Sequence, residues 1–259
     1  MILRRVAEHI KQQHWTGVLI ELAIVVLGVF IGMQVNNWNQ QRLTDQQSAI
    51  YTKHLREDLH VEAWQIAGLK LYYDEVLANA YHALDDMEGR APMPNEAFLV
   101  AAFRATQYND FVQDRGTYDE LVSTGNIGLV TDQRLRRMAI ETYSTKLYDN
   151  VRIEGINSQF RTTFRMLVPI KVQSAIETHC GDHVARINDY DSLKGILDYP
   201  CTTGLSPQEI AAAAATLRAN ALLVPLLRLR IANIRSAVGT TVISPEVMDD
   251  LRNLSGGKL

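Results

Sequence analysis

The hydrophobic pattern of the chain changes sharply at about residue 38. In the apolar run over residues 18–35, VLIELAIVVLGVFIGMQV, only Glu21 is charged. At about 1.5 Å per residue this run makes a helix of about 27 Å, which is enough to cross the hydrocarbon layer of a membrane. Trp15 and Trp38 flank the run, where indole rings anchor a span at the two membrane interfaces. The pattern predicts a transmembrane helix over residues 17–37.

Two other interpretations of this run stay open, a cleaved signal peptide and a buried helix of a soluble protein. A signal peptide has a shorter apolar run with a small-x-small exit, whereas this run leads into Asn36, Asn37, Trp38 and Asn39. A buried core helix usually has a shorter apolar stretch. Both alternatives fit less well than a retained membrane anchor.

Positive charges near the two ends of the predicted span indicate its orientation. Three basic residues precede the span and two follow it: Arg4, Arg5, Lys11, Arg42 and Lys53. Because positive residues collect on the cytoplasmic side, this slight excess predicts a cytoplasmic N-terminus. We expect an amphipathic cytoplasmic tail over residues 1–16, an extracytoplasmic domain over 38–254 and a frayed end over 255–259.

Beyond the span the pattern is helical throughout. Apolar residues recur every three or four positions from Gln40 to Met87, which predicts one long juxtamembrane helix. Capping and breaking residues predict the later helices. These cover residues 95–106 with Asn95 as the cap, Thr117 to a stop at Gly125 with a Thr117–Glu120 capping box, 132 to about 167, Ser206 to about 238 with a kink at Pro225, and a short helix after Ser244. No alternating run suggests a sheet, so the predicted fold is an all-α helical bundle.

Composition excludes some functions and weakens others. A net charge of -3 provides no basic surplus for the phosphates of nucleic acid. No phosphate-binding loop, dinucleotide motif, nucleophile elbow or zinc-protease helix occurs in the sequence. We therefore expect a protein that is not an enzyme, uses no cofactor and binds no nucleic acid.

Cys180 and Cys201 are the only cysteines. An isolated pair in an oxidising compartment is most often a disulfide, which is the bond we predict. The alternatives are free thiols or a metal site. A metal site is considered because one short stretch contains several possible ligands: Glu177, His179, Cys180, Asp182 and His183. Recognised zinc spacings are absent, so we expect no metal.

One face of the predicted span is narrow and polar. Gly17, Glu21, Gly28 and Gly32 share this face at about 100° per residue. Glycines four positions apart let a second helix approach closely, and acids inside a membrane usually face protein. The stripe predicts association of the span with a copy of itself or with another membrane protein. The alternative is that Glu21 reaches the lipid headgroups and the glycines are incidental.

Two stretches resemble a bacterial membrane protein family, the domain of unknown function (DUF) 6090 group. The first is ELAIVVLGVFIGMQVNNWNQQR, with an acid at its start, glycine in the middle and Asn-Asn-Trp-Asn at its exit. The second is GTYDELVSTGNIGLVTDQRLR, where four residues fit a structural turn motif: Tyr118, Leu121, Gly125 and Asn126. The resemblance implies a single-span inner-membrane protein of bacteria with a periplasmic helical domain, and it implies no known activity.

Two functions from different classes remain. The first is an accessory or scaffold subunit that lies in the lipid bilayer and forms a homo-oligomer or joins a larger membrane complex. The second is a membrane-tethered periplasmic domain that binds a small ligand and signals through a partner. We favour the scaffold, because the stripe and the long juxtamembrane helix both offer surfaces for another helix.

Overall fold

The computed structural model describes residues 15–109, 112–239 and 243–254. Within these ranges it contains helices and their connections and no β-strand, so the all-α prediction is confirmed. The predictions for the cytoplasmic tail, for the Trp15 side chain and for residues 255–259 fall outside the described part of the chain.

One very long helix, α1, dominates the fold. It runs from Trp15 to Met87 without a break, and its 73 residues extend over about 110 Å. The apolar run and the juxtamembrane helix are thus a single element, which settles a point that the sequence pattern left open. The helix ends where predicted, and Gly89 follows it with a φ of 73°, a conformation that glycine adopts without steric cost.

Nine shorter helices follow α1 in the described residues. They are α2 (Asn95–Arg104), α3 (Gly116–Ser123), α4 (Gln133–Ser144), α5 (Leu147–Asn157), α6 (Gln159–Leu167), α7 (Ile170–Cys180), α8 (Pro207–Ala219), α9 (Leu223–Gly239) and α10 (Pro245–Leu254). Two short 3₁₀ turns lie at Asn126–Leu129 and Asp191–Leu193. The segment 170–203 has no regular spacing of apolar residues, which predicts an irregular structure. This prediction is wrong for its first part, which forms α7 and ends at Cys180, and only the later part, which holds Cys201, lies in the connection to α8.

The single helix predicted from residue 132 to 167 is wrong, because the structure divides it into α4, α5 and α6. At the second break the Ser158 side chain accepts a hydrogen bond from the backbone N–H of Arg161 at 3.2 Å. At the first break the Thr145 hydroxyl accepts one from the N–H of Leu147 at 3.4 Å. Short hydroxyl side chains compete for backbone donors, so they start new helices where apolar periodicity alone indicates continuation.

The helix predicted from Ser206 to 238 is also divided. Its start is correct, since Ser206 and Glu209 form the predicted capping box. The chain breaks after Ala219, and α8 and α9 lie at 82° to each other. Asn220 causes this break by accepting a hydrogen bond from the N–H of Leu222 at 3.0 Å. Pro225 lies in the first turn of α9, where a missing N–H costs little, and it does not produce the predicted kink.

Two predicted caps are wrong, because tertiary partners take their side chains. The Asn95 side chain accepts a hydrogen bond from Arg218 at 2.5 Å and does not cap α2. Helix α3 begins at Gly116, so Thr117 lies inside it, without a side-chain cap. Its intended capping partner Glu120 instead accepts a hydrogen bond from the Tyr51 hydroxyl at 2.6 Å.

The second half of α1 is the central helix of the folded domain. It contacts α2, α9, α10 and α3 along its length. Two clusters of buried apolar side chains surround it, one along residues 55–76 and one along residues 80–84. The first cluster includes side chains of α4, α5 and α10, and the second includes side chains of α2, α6, α7, α8 and α9. The same helix therefore forms both the apolar run and the core of the domain.

Candidate functional site

The first half of α1 is an isolated, uncovered helix. Every residue from 17 to 47 is exposed, and the large apolar side chains from Val18 to Trp38 expose between 44% and 69% of their surface. A soluble protein rarely leaves so large a contiguous apolar surface in water. Among the described residues α1 is the one unbent helix that is long and apolar enough to cross a membrane.

The predicted stripe lies on this uncovered helix. Gly17, Glu21, Gly28 and Gly32 are all exposed, and a Cβ atom built on any of the three glycines would meet nothing within 4 Å. The structure therefore brings no other described element against the stripe. The predicted anchor Trp38 is exposed as well, at the end of the apolar run.

The turn motif packs against α1 soon after the apolar run. Ser48 donates a hydrogen bond to the carbonyl of Leu129 at 2.5 Å, and Tyr51 donates to Glu120 at 2.6 Å. Leu121 is fully buried beside these contacts. We name the exposed residues 38–47 of α1 the stalk. The turn motif thus fixes the end of the stalk to the domain, a role that the sequence did not reveal.

The backbone of the turn motif has the predicted geometry. Gly125 ends α3 with a φ of 71°, in the left-handed region that the sequence required. Asn126 then begins the 3₁₀ turn that carries the Leu129 carbonyl. Tyr118 stacks on Tyr143 of α4, with the ring centroids 5.0 Å apart. All four predicted residues of the motif therefore act in positioning this corner of the domain.

Cys180 and Cys201 lie at disulfide distance, and their Cα atoms are 5.5 Å apart. Cys180 is fully buried, whereas Cys201 is partly exposed. Cys201 lines an open cleft of about 360 Å³ between α1, α2 and the connection from α7 to α8. Cys201 is therefore the more exposed residue of the pair.

Carboxylates hold the connection from α7 to α8 against α1 and α2. Glu75 of α1 accepts backbone hydrogen bonds from Gly195, Leu197 and Asp198, each at 2.8 Å. Glu96 of α2 accepts two hydrogen bonds from Thr203, and they lower the pKa of this carboxyl. Several contacts besides the cysteine pair therefore fix this segment.

Arg104 of α2 lies beside the cysteine pair with 5% of its side chain exposed. Its guanidinium donates to the carbonyl of Tyr199 at 2.8 Å and to the sulfur of Cys201 at 3.6 Å, and it forms an ion pair with Asp198 at 3.3 Å. Burial lowers the pKa of Arg104, and the charge of Asp198 opposes that effect. A buried cation thus lies next to the more accessible sulfur.

Asp182 and His183, two of the possible metal ligands near Cys180, have other partners. Asp182 accepts a hydrogen bond from Tyr72 at 2.7 Å, and burial raises the pKa of this aspartate. The His183 ring stacks on Tyr199 with 3.9 Å between the centroids. In the described part of the chain no group of three His, Cys, Asp or Glu residues is arranged to hold a metal ion.

Three buried charged residues, an ion pair and a single carboxyl, could not be recognised as buried from the sequence. Arg230 of α9 and Glu154 of α5 form an ion pair at 3.0 Å, with side chains exposed by only 1% and 8%. Glu62 of α1 is buried and accepts a hydrogen bond from Gln113 at 3.0 Å. Burial raises the pKa of Glu62 and of Glu154, and their hydrogen bonds oppose that effect. Nothing in the local sequence distinguishes these buried charged residues from charged residues on the surface.

An exposed apolar helix that continues into a helical domain defines a class of helical proteins with one candidate membrane span. A family model described as a family of unknown function, DUF6090, matches residues 21–160, which is more than half of the chain. The chain therefore belongs to this family. No curated protein and no solved structure matches the chain. The family match covers most of the apolar run, from Glu21 onwards, and the whole turn motif, and it ends before the cysteine pair.

Proposed function

We propose that the chain is a single-span inner-membrane protein without catalytic activity, and that its domain lies in the periplasm. In this role it is an accessory or scaffold subunit, which associates with itself or with another membrane protein through α1. The observation that carries the proposal is the uncovered first half of α1, whose apolar surface needs lipid or another helix around it.

The continuity of α1 supports a scaffold in particular. Between the apolar run and the domain no loop interrupts the helix, and the ten residues of the stalk rise about 15 Å. Ser48 and Tyr51 then fix the helix to the turn motif. A partner that binds the span would therefore hold the domain at a defined height and rotation.

The first experiment tests membrane insertion and orientation. The full chain is expressed in bacteria. Membranes from one portion of the cells are extracted with alkaline carbonate, and a second portion, intact or converted to spheroplasts, is treated with protease from the periplasmic side. We expect the chain to stay in the membrane pellet and its domain to be digested only after the outer membrane is opened. Release of the chain into the carbonate supernatant would refute the membrane assignment. Protection of the domain from protease in spheroplasts would refute the orientation.

The second experiment tests association through the stripe. A bilayer association assay compares the native span with Gly28→Leu, Gly32→Leu and Glu21→Leu. Val26→Leu is the matched control, because Val26 lies on the opposite face of the helix. We expect the three stripe variants to associate less and the control to be unchanged, because bulky side chains prevent close approach. Equal association of all variants would refute the stripe as the binding face.

One observation favours the second function, ligand sensing. An open groove of about 980 Å³ runs along α1 between Asp45 and Val61 and ends at Leu254 of α10. Its volume is that of a small-molecule site. Native mass spectrometry of the full chain, purified in mild detergent, would show a retained small molecule if sensing is correct. A chain that co-purifies with protein partners and carries no such molecule supports the scaffold.

A further inference from the structure

The cysteine pair is asymmetric in a way that a purely structural disulfide does not need. Cys201 is partly exposed and lines a cleft of about 360 Å³ that opens to solvent, whereas Cys180 is fully buried. A cleft of this size admits a small molecule. A thiol that enters the cleft from solution therefore meets Cys201 before Cys180.

The charge around the pair is asymmetric as well. The Arg104 guanidinium donates to the sulfur of Cys201 at 3.6 Å, while its contact near Cys180 is with the backbone carbonyl. A cation beside a thiol stabilises the thiolate, which is the form that attacks disulfides. Once the pair is reduced, the accessible sulfur is therefore also the more nucleophilic one.

The surrounding segment would keep its place without the disulfide. Glu75 holds the backbone of residues 195–198, Glu96 holds Thr203, and Tyr72 holds Asp182. These contacts involve neither sulfur. Reduction would therefore leave Cys201 close to Arg104, and the pair could close again.

We propose that Cys180 and Cys201 form a redox-active pair in which Cys201 is the exchange site for a low-molecular-weight thiol entering through the cleft. In the oxidising direction the Cys201 thiolate attacks a small disulfide, forms a mixed disulfide and releases one thiolate, which takes a proton from water. Cys180 then loses its proton to water and attacks the sulfur of Cys201, which releases the second thiolate. Two electrons pass from the pair to the small disulfide, and a small thiol drives the reverse steps.

The test uses the full chain in detergent micelles with glutathione disulfide as the probe. Two single-thiol variants, Cys180→Ser and Cys201→Ser, are reduced, freed of reductant and exposed to the probe, and adducts are followed by mass spectrometry. We expect Cys201 to react at least about tenfold faster than Cys180 at pH 7, because Cys201 lines the cleft and its sulfur lies beside the Arg104 cation, which stabilises a thiolate. Equal rates, or faster reaction of Cys180, would overturn the proposal.

Two further variants of the Cys180→Ser chain, together with one control variant, test the cleft and the cation separately. Ala97 lines the cleft, so Ala97→Tyr should slow adduct formation severalfold, whereas Ala215→Tyr on the exposed surface of α8 should leave it unchanged. Arg104→Met should slow adduct formation at pH 7 severalfold, because it removes the cation that stabilises the thiolate. If Arg104→Met does not fold by circular dichroism, the Ala97 comparison decides, and equal rates for both tyrosine variants contradict entry through the cleft.

Discussion

The buried ion pair between Arg230 and Glu154 allows a sharp prediction about the stability of the domain. The two side chains lie 3.0 Å apart in the core. Arg230 also donates to the carbonyls of Ala105 and Gln107, at 2.5 and 2.7 Å. The substitution Arg230→Met leaves a shorter, unbranched apolar side chain and removes the charge and all these donors.

We expect Arg230→Met to lower the free energy of unfolding by about 6 kcal/mol. Breaking a buried pair on one side costs about 3 to 5 kcal/mol, because the remaining charge stays buried without compensation. Each of the two carbonyls that loses its donor adds about 1 kcal/mol. The double variant Arg230→Met, Glu154→Leu removes the uncompensated charge, so it should recover about half of the loss.

The cost should also depend on pH. Burial already raises the pKa of Glu154 in the native chain, and removal of Arg230 takes away the main opposing interaction. A carboxyl whose folded-state pKa is raised loses stability as the pH rises through that pKa. The loss in Arg230→Met should therefore be smaller at pH 5 than at pH 7, and the double variant should not show this difference.

Urea denaturation of the full chain in detergent, followed by far-ultraviolet circular dichroism, measures these differences. Lys194→Met is the matched control, because Lys194 pairs with Asp191 on the surface with side chains exposed by 74% and 89%, and we expect no measurable change. The reasoning fails if the double variant is as unstable as the single variant. It fails equally if the single variant shows the same loss at both pH values.

Three further predictions concern other parts of the chain. Gly125→Ala should destabilise the domain by about 1 kcal/mol because of its left-handed φ. Gly128→Ala, in the same motif but in open space, should change stability less in the same urea titration. Glu62→Gln should stabilise the chain more at pH 7 than at pH 5. The raised pKa of the Glu62 carboxyl means that the native chain loses stability as the pH rises through that pKa, and the glutamine variant does not. Urea titrations at both pH values check this sign. A chain beginning at Thr44 should be soluble and mainly helical by circular dichroism, and a strand spectrum would refute the fold assignment.

Much of the fold could be predicted from the sequence, because local signals dictate it. The apolar run, the spacing of α1 up to Met87, the left-handed stop at Gly125 and the capping box at Ser206 are each properties of a few neighbouring residues. Patterns of this kind need no knowledge of the tertiary structure. The corresponding predictions therefore agree with the structure.

The wrong predictions arise from tertiary contacts, which the local sequence does not contain. Asn95 and Glu120 looked like helix caps, but Arg218 and Tyr51, far away in the sequence, take their side chains. The candidate site follows the same rule. The stripe could be read from helical spacing, whereas the place of Arg104 beside Cys201 depends on contacts across almost one hundred residues.

The central position of α1 has a consequence for the order in which the chain can fold during synthesis. The apolar face of α1 beyond the stalk is made before α9 and α10, which help to cover it and begin more than one hundred residues after α1 ends. Loop closure over such sequence separations is slow. Until these two helices arrive, a newly made chain tethered by its span would present part of this face to its surroundings, and a chain cut short before residue 223 would leave that part uncovered.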